Sequence, residues 1–358
     1  MDPMLERLIA ALLEFLGLSR RNSRGNDGER ERERERQGGT AEPADDDPIR
    51  RPAPVEPQRS GTHSTILELE PGGGSHWATL SSLCAHPTDP TRLFAVPDGD
   101  SPPLRIIAIE VKDDRARVVD QTVVDTDGMT DLDVEGSAIK PDGGFWLTSE
   151  GKAGNSPPNI LLEVDALGHV VRTVDLPPEI AKRMQDKGFE GVSYVAKPSG
   201  GAELYVSFQV GIEGDELGVT RIGVVDPATG QWRFYGYRLE EIEDSEYSGL
   251  SDILHLGDQR FALIERDGKG KRRALKWITT VDLGSVTGAP PDTTPPVLHK
   301  RLAVNLVPQF LDAGRKVEKE IEGLAIAADG EVYAITDNDG ERPTLLLRLG
   351  HRDKLFNA

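Results

Sequence analysis

The chain has 358 residues, 37% of them apolar, with 38 glycines, 25 prolines and a formal charge of −19. That is enough apolar surface for one large packed domain broken by many turns, and too much negative charge to favour a phosphate backbone as partner. Almost all of the charge, −17, lies beyond residue 61, because the first 61 residues hold 13 acids and 11 bases. Cations or cationic ligands suit such a body, with plain solvation as the competing reading. The single cysteine, Cys84, rules out an internal disulfide and a Cys-based metal site. Its place in the apolar run 80–85 predicts a buried, inert thiol.

In chain order, residues 1–18 space Leu5, Leu8, Ile9, Leu12, Leu13 and Leu16 as one apolar helix stripe, with Asp2 and Pro3 at its start. Glu14 interrupts the run and no basic cluster leads it, so it reads neither as an export signal nor as a membrane span. It reads as a docking helix for a protein partner, with folding onto the body as the alternative. Residues 19–61 carry the Glu/Arg tract 29–36 among Gly, Pro, Asp and Gln, which predicts a disordered low-complexity linker.

Residues 62–358 repeat a pattern of short apolar strand, turn and returning strand. The hairpins fall at 80–86 with 92–98, 136–140 with 145–150, 191–196 with 203–209, 250–256 with 260–266, and 323–327 with 331–337. Further strands at 160–164, 170–176, 221–225, 231–239 and 345–349 complete units of four strands. The expected fold class is all-β, a β-propeller of five blades, with six as the alternative because 283–310 is irregular and Pro-rich. Strand 64–70 is spare and is expected to close the ring by joining the last blade.

The start of each hairpin's first strand and the end of its second share one rim, and the inner strands converge on one axis. Glu135, Glu150, Glu190, Glu322, Asp337, Asn338, Asp98, Ser251, Asp252, Glu265 and Arg266 are therefore expected at one channel mouth. Crowded carboxylates must bind a cation, pair with a base or take up protons. Oxygen donors without histidine point to Ca²⁺ rather than zinc, and Arg266 and Lys187 are candidates for an anionic group. Asp142-Gly143 and Asp329-Gly330 read as turn chemistry alone. No Gly-x-Ser-x-Gly elbow is present, and His86, His169 and His255 read as structural.

Val134-Glu135-Gly136-Ser137-Ala138 with Phe145-Trp146-Leu147-Thr148-Ser149-Glu150, then Gly188-Phe189-Glu190-Gly191-Val192, resemble motifs of the phytase-like family, "esterase-like activity of phytase". Gly249-Leu250-Ser251-Asp252-Ile253, Leu263-Ile264-Glu265-Arg266, Ile321-Glu322-Gly323-Leu324-Ala325 and Thr336-Asp337-Asn338 continue the resemblance over about 70–350. The resemblance implies a propeller, usually extracytoplasmic, that hydrolyses phosphate or carboxylate esters. The tethered helix in place of an export signal makes a cytoplasmic or assembly-associated location the alternative. On this reading Glu135, Glu190, Glu322 and Asp337 hold Ca²⁺. Glu150 or Glu265 is the base, Arg266 holds the anionic group, and Asp98, Lys187, Asp252 and Asn338 line the ligand space. A non-catalytic binding propeller and a lactone hydrolase are the alternatives.

Overall fold

The computed structural model describes residues 64–357, apart from 73–78, 99–101, 156, 243–246 and 338–341. The expected docking helix, the linker and Asn338 lie outside the described residues. Pro57–Ala358 is one compact unit.

The strands group as five four-stranded blades. Blade 1 is β2 (Cys84–Ala85), β3 (Arg92–Ala95), β4 (Arg105–Lys112) and β5 (Arg115–Val123). Blade 2 is β6 (Asp133–Ile139), β7 (Phe145–Glu150), β8 (Ile160–Val164) and β9 (Val170–Asp175). Blade 3 is β10 (Phe189–Ala196), β11 (Ala202–Phe208), β12 (Val219–Asp226) and β13 (Gln231–Arg238). Blade 4 is β14 (Ser248–Gly257), β15 (Arg260–Asp267), β16 (Lys276–Asp282) and β17 (Lys300–Asn305). Blade 5 is β18 (Glu320–Ile326), β19 (Glu331–Asp337) and β20 (Leu345–His351), completed by β1 (Thr65–Glu70).

β1 pairs antiparallel with β20, Thr65 opposite Arg348 to Glu68 opposite Leu345, so the first described strand is the outer strand of the last blade. Its end also meets β5 in parallel at Leu69 and Glu70, which joins blades 5 and 1 into one eight-stranded sheet. The ring is thus closed by chain ends that are far apart in sequence, and the expected closure holds.

The segment that left a sixth blade open does not form one. After β16 the chain crosses to the outer edge of blade 3, where Ala289 exchanges backbone hydrogen bonds with Phe234 at 2.8 Å in both directions. Gly236 N–H donates to Pro296 and Leu298 N–H donates to Gly236, both at 2.8 Å. Proline cannot fill a central ladder but suits such an edge cover, which saturates β13 and leaves 300–305 as the outer strand of blade 4.

The apolar residues that alternate along these strands make five separate cores, one at each seam between neighbouring blades. Phe189, Phe208 and Trp232 fill the seam of blades 2 and 3 with Trp146 and Leu161. Cys84 sits with Val96, Val134 and Leu147 in the seam of blades 1 and 2, and burial pushes its thiol up to about 12, as an inert side chain requires. The turns expected at Asp-Gly use glycine at positive φ, 85° at Gly143 and 89° at Gly330.

Around the axis four of the five seams are stitched by side-chain hydrogen bonds. Ser82 and Ser137 hydroxyls meet at 2.8 Å, and Thr148 donates to the Glu190 carbonyl. Ser193 donates to the Ile253 carbonyl at 2.8 Å, and Ser251 donates to that of Ile321 at 2.7 Å. The fifth seam is a bare approach: a Cβ on Gly323 would lie 2.4 Å from the Leu83 backbone nitrogen. Gly323→Ala is therefore expected to destabilise the fold by about 1–3 kcal/mol, because backbone must move to admit one methyl. An unfolding midpoint equal to the wild type's in a thermal scan would refute the close-approach account.

Candidate functional site at the channel mouth

The inner strands of blades 2 to 5 share one irregularity. Pairing skips one residue between Val134 and Gly136, between Leu250 and Asp252, and between Ile321 and Gly323. It also shifts between Phe189 and Val192. The residues at these bulges are Glu135, Ser251, Glu322 and, in blade 3, the Glu190-Gly191 pair. A β-bulge bends its strand and re-aims the extra side chain, so the repeated Glu-Gly of the sequence is a repeated bulge. Its glycine has its own cause. A Cβ on Gly136 would lie 2.4 Å from the Glu190 carbonyl oxygen, and one on Gly191 would lie 2.1 Å from Asp252 Oδ1.

A second tier comes from the end of each returning strand. Glu150 stands opposite Asp133, Arg266 opposite Gly249, and Asp337 opposite Glu320. In blades 1 and 3 the equivalent residues, Asp98 and Gln209, donate their backbone N–H to Thr79 at 3.2 Å and Gly188 at 2.8 Å. The mouth therefore gathers Asp98, Asp133, Glu135, Glu150, Glu190, Gln209, Arg266, Glu320, Glu322 and Asp337.

Asp98, Asp133 and Glu135, each half-buried, present carboxylate oxygens that all lie within 4.8 Å of one another. This is the one group of three His, Cys, Asp or Glu with metal-holding geometry among the described residues. Deeper in, Glu190 and Glu322 are 2% and 4% exposed. Arg266 donates to Glu322 Oε1 and lies 3.6 Å from Glu320. Glu322 Oε2 and Gln209 Oε1 are buried acceptors without a hydrogen-bond donor. The three clustered carboxylates are an oxygen donor set that fits a hard cation.

Burial and mutual repulsion hold these acids towards their protonated forms. Desolvation is the main cause for Glu135, whose pKa stands well above the ordinary range, with Asp133, Glu322, Glu150 and Asp98 adding to it. Glu190 is raised in the same way, with Glu135, Glu322 and Glu150 raising it further and Arg266 opposing them. Glu150 is pushed up to about 7 by desolvation, partly offset by the hydrogen bond that Gly188 N–H donates to its Oε1 at 2.6 Å. Burial also raises Glu322, against the attraction of Arg266.

Three expected members, Ser251, Glu265 and Asp252, do not join the mouth, and the Ser251 hydroxyl is spent on the Ile321 carbonyl. Glu265 precedes Arg266 on β15, and strand alternation turns it to the other face. Its carboxylate is saturated between blades 3 and 4 by Tyr237 Oη at 2.6 Å, Glu240 N–H at 2.6 Å and Lys300 Nζ at 2.7 Å. Asp252 occupies the place that glycine fills in the other Glu-Gly strands. Its oxygens accept from Ile253 N–H at 2.8 Å and Leu324 N–H at 2.6 Å, so it clamps blades 4 and 5. Lys187 is exposed at the rim, its Nζ 4.4 Å from the centre of the Tyr247 ring. Asp133, Gln209, Glu320 and Tyr247 were not anticipated. The acid two residues before the bulge, in Asp133-Val134-Glu135 and Glu320-Ile321-Glu322, was the signal that could have found two of them.

For Glu150 and Glu322 the folded pKa lies above the reference of 4.5, so folding takes up protons between that value and about 7. Stability of the metal-free protein is therefore expected to fall as pH rises from about 5 to about 7.5, and added Ca²⁺ to raise the unfolding midpoint more at the higher pH. Differential scanning calorimetry reads both effects, and a midpoint indifferent to pH and to calcium would contradict them.

A family model, phytase-like, described as esterase-like activity of phytase, matches residues 75–340. No curated protein matches the chain. Among solved structures, an oxidoreductase (glucose dehydrogenase) of Thermus thermophilus is 13% identical, with 76% of this chain and 84% of that one covered and a TM-score of 0.40. Myxococcus xanthus glutaminyl cyclase is 12% identical, covering 80% and 99%, TM-score 0.42. A gluconolactonase of Xanthomonas campestris is 11% identical, covering 77% of each chain, TM-score 0.38. At this distance none of the three bears on chemistry.

Proposed function

Since this chain belongs to the phytase-like family of esterase-like activity, we propose that its channel mouth hydrolyses small-molecule esters with the help of one bound divalent cation. The observation that carries the reading is the convergence of Asp98, Asp133 and Glu135 within 4.8 Å beside a half-buried acid of pKa about 7. Oxygen-only donors and the lack of histidine favour Ca²⁺. Phosphate and carboxylate esters are the substrate class, lactones included.

Asp98, Asp133 and Glu135 would hold the ion. Glu190, Glu322 and Asp337 would deepen the negative well behind it. Such an ion supplies Lewis-acid polarisation of an ester oxygen. Glu150 is the proposed base: Gly188 N–H fixes one oxygen, and a pKa near 7 lets the carboxylate accept a proton from water at neutral pH. Arg266 is engaged by Glu322 and Glu320, so its proposed role is to orient Glu322 and offset its charge. Lys187, exposed on the same rim, would then meet the substrate's anionic group.

The depth of Glu190 and Glu322 favours a second reading, a structural ion in a non-catalytic binding propeller. Turnover separates the two. A panel of aryl phosphates, aryl acetates and lactones is expected to show Ca²⁺-dependent hydrolysis. Glu150→Gln is expected to lower kcat about 100-fold or more while calcium still binds. Glu135→Gln is expected to lower calcium affinity first, with kcat recovering at high calcium. No hydrolysis of any panel member by the calcium-loaded protein would leave only the binding reading.

A further inference from the structure

A body of charge −17 carries one concentrated basic loop, and it lies on the same rim as the acidic mouth. The loop joins β15 to β16 and reads Gly268-Lys269-Gly270-Lys271-Arg272-Arg273. With the chain at 240–242, Trp277, Asn305 and Val307 it walls a cavity of about 530 Å³. Lys271, Arg272 and Arg273 are exposed and Lys269 is half-buried. None of the four is in an ion pair among the described residues. Two acids share the lining. Glu240 is paired with Lys300 at 2.9 Å, which leaves Glu241 as the uncompensated acid among the described residues. Among the described lining residues four cations stand against two acids.

The loop is also held in place. Asp267 and Lys276, fully buried at its two ends, pair at 2.8 Å. Asp267 Oδ1 accepts from Lys269 N–H at 3.2 Å, Asp267 N–H donates to Leu275 at 3.1 Å, and Ala274 N–H donates to Lys271 at 3.0 Å. Holding cations close together against their own repulsion costs stability. An anion returns that cost, and Arg side chains suit phosphoryl oxygens because they can meet two at once. Trp277, half-buried at the cavity wall, and Leu275 offer an apolar face beside the charge.

We propose that this cavity is an anion subsite for a phosphoryl-bearing organic molecule. The phosphoryl group sits against Lys271, Arg272 and Arg273, and the apolar part lies on Trp277. The subsite deepens the hydrolase reading and rests on it only for the claim that the same molecule presents an ester to the mouth. A polyanionic substrate repelled by the acidic ring would here find an attraction on that rim, in addition to Lys187.

The test is calorimetric titration of the metal-free protein with phenylphosphonate, which no esterase can hydrolyse, and with inorganic phosphate. The wild type is expected to bind phenylphosphonate more tightly than phosphate and to lose affinity as salt rises from about 50 to about 300 mM. The combined variant Lys271→Ala, Arg272→Ala, Arg273→Ala should bind at least tenfold more weakly with an unfolding midpoint no lower than the wild type's, because the three side chains are exposed and their mutual repulsion is removed. Equal binding by wild type and variant, or no binding by the wild type, would overturn the subsite. Neither result touches turnover at the mouth, so failure here and failure of the hydrolase reading remain distinguishable.

Discussion

The inner strands of a five-bladed ring must approach one another more closely than ordinary neighbouring sheets do, and the rest of the mouth follows from how the chain meets that constraint. Glycine at 136, 191 and 323 removes the Cβ atoms that would collide with the next blade. Bulges at those same places bend each strand and turn the preceding side chain towards the rim. Packing and acid placement are thus one device. Where blade 4 departs from the pattern, Ser251 and Asp252 use their side chains to bond the next blade.

The consequence is electrostatic. Glutamates delivered by separate blades are desolvated together and raise one another's pKa, with Arg266 as the buried counter-charge among them. A ring assembled only for packing would have no reason to collect carboxylates there, since each adds to the repulsion. Bound protons relieve that repulsion at low pH, and a cation would relieve it at neutral pH. The triad of Asp98, Asp133 and Glu135 is half-buried, whereas Glu190 and Glu322 are buried. The basic loop 268–273 begins just beyond Arg266 and is braced by the buried pair of Asp267 and Lys276. The rim therefore offers opposite charge preferences side by side, which suits a bound metal together with an anionic ligand.

Blade count, ring closure and the shared rim were legible because hairpin period and strand alternation are local signals. Strand 64–70 was readable as spare because the last unit lacked a fourth strand. Two things were not local. Glu265 and Arg266 are adjacent, and only the register against Leu250 and Gly249 decides which one faces the mouth. Asp252 aligned with the acids of other blades, yet it fills the space opened by Gly191, a contact between residues 61 positions apart. Asp133 escaped notice because its weight comes from Asp98 of the neighbouring blade. The helix stripe and linker of residues 1–61 lie outside the described residues.

The central claim is that these acids converge to hold a cation. Anomalous diffraction from crystals grown with Mn²⁺, a hard divalent ion with a measurable anomalous signal, locates bound metal directly. The account predicts one strong peak among Asp98, Asp133 and Glu135, displaced by competing Ca²⁺. A mouth without any peak at saturating metal, with the carboxylates in the same places, would contradict it.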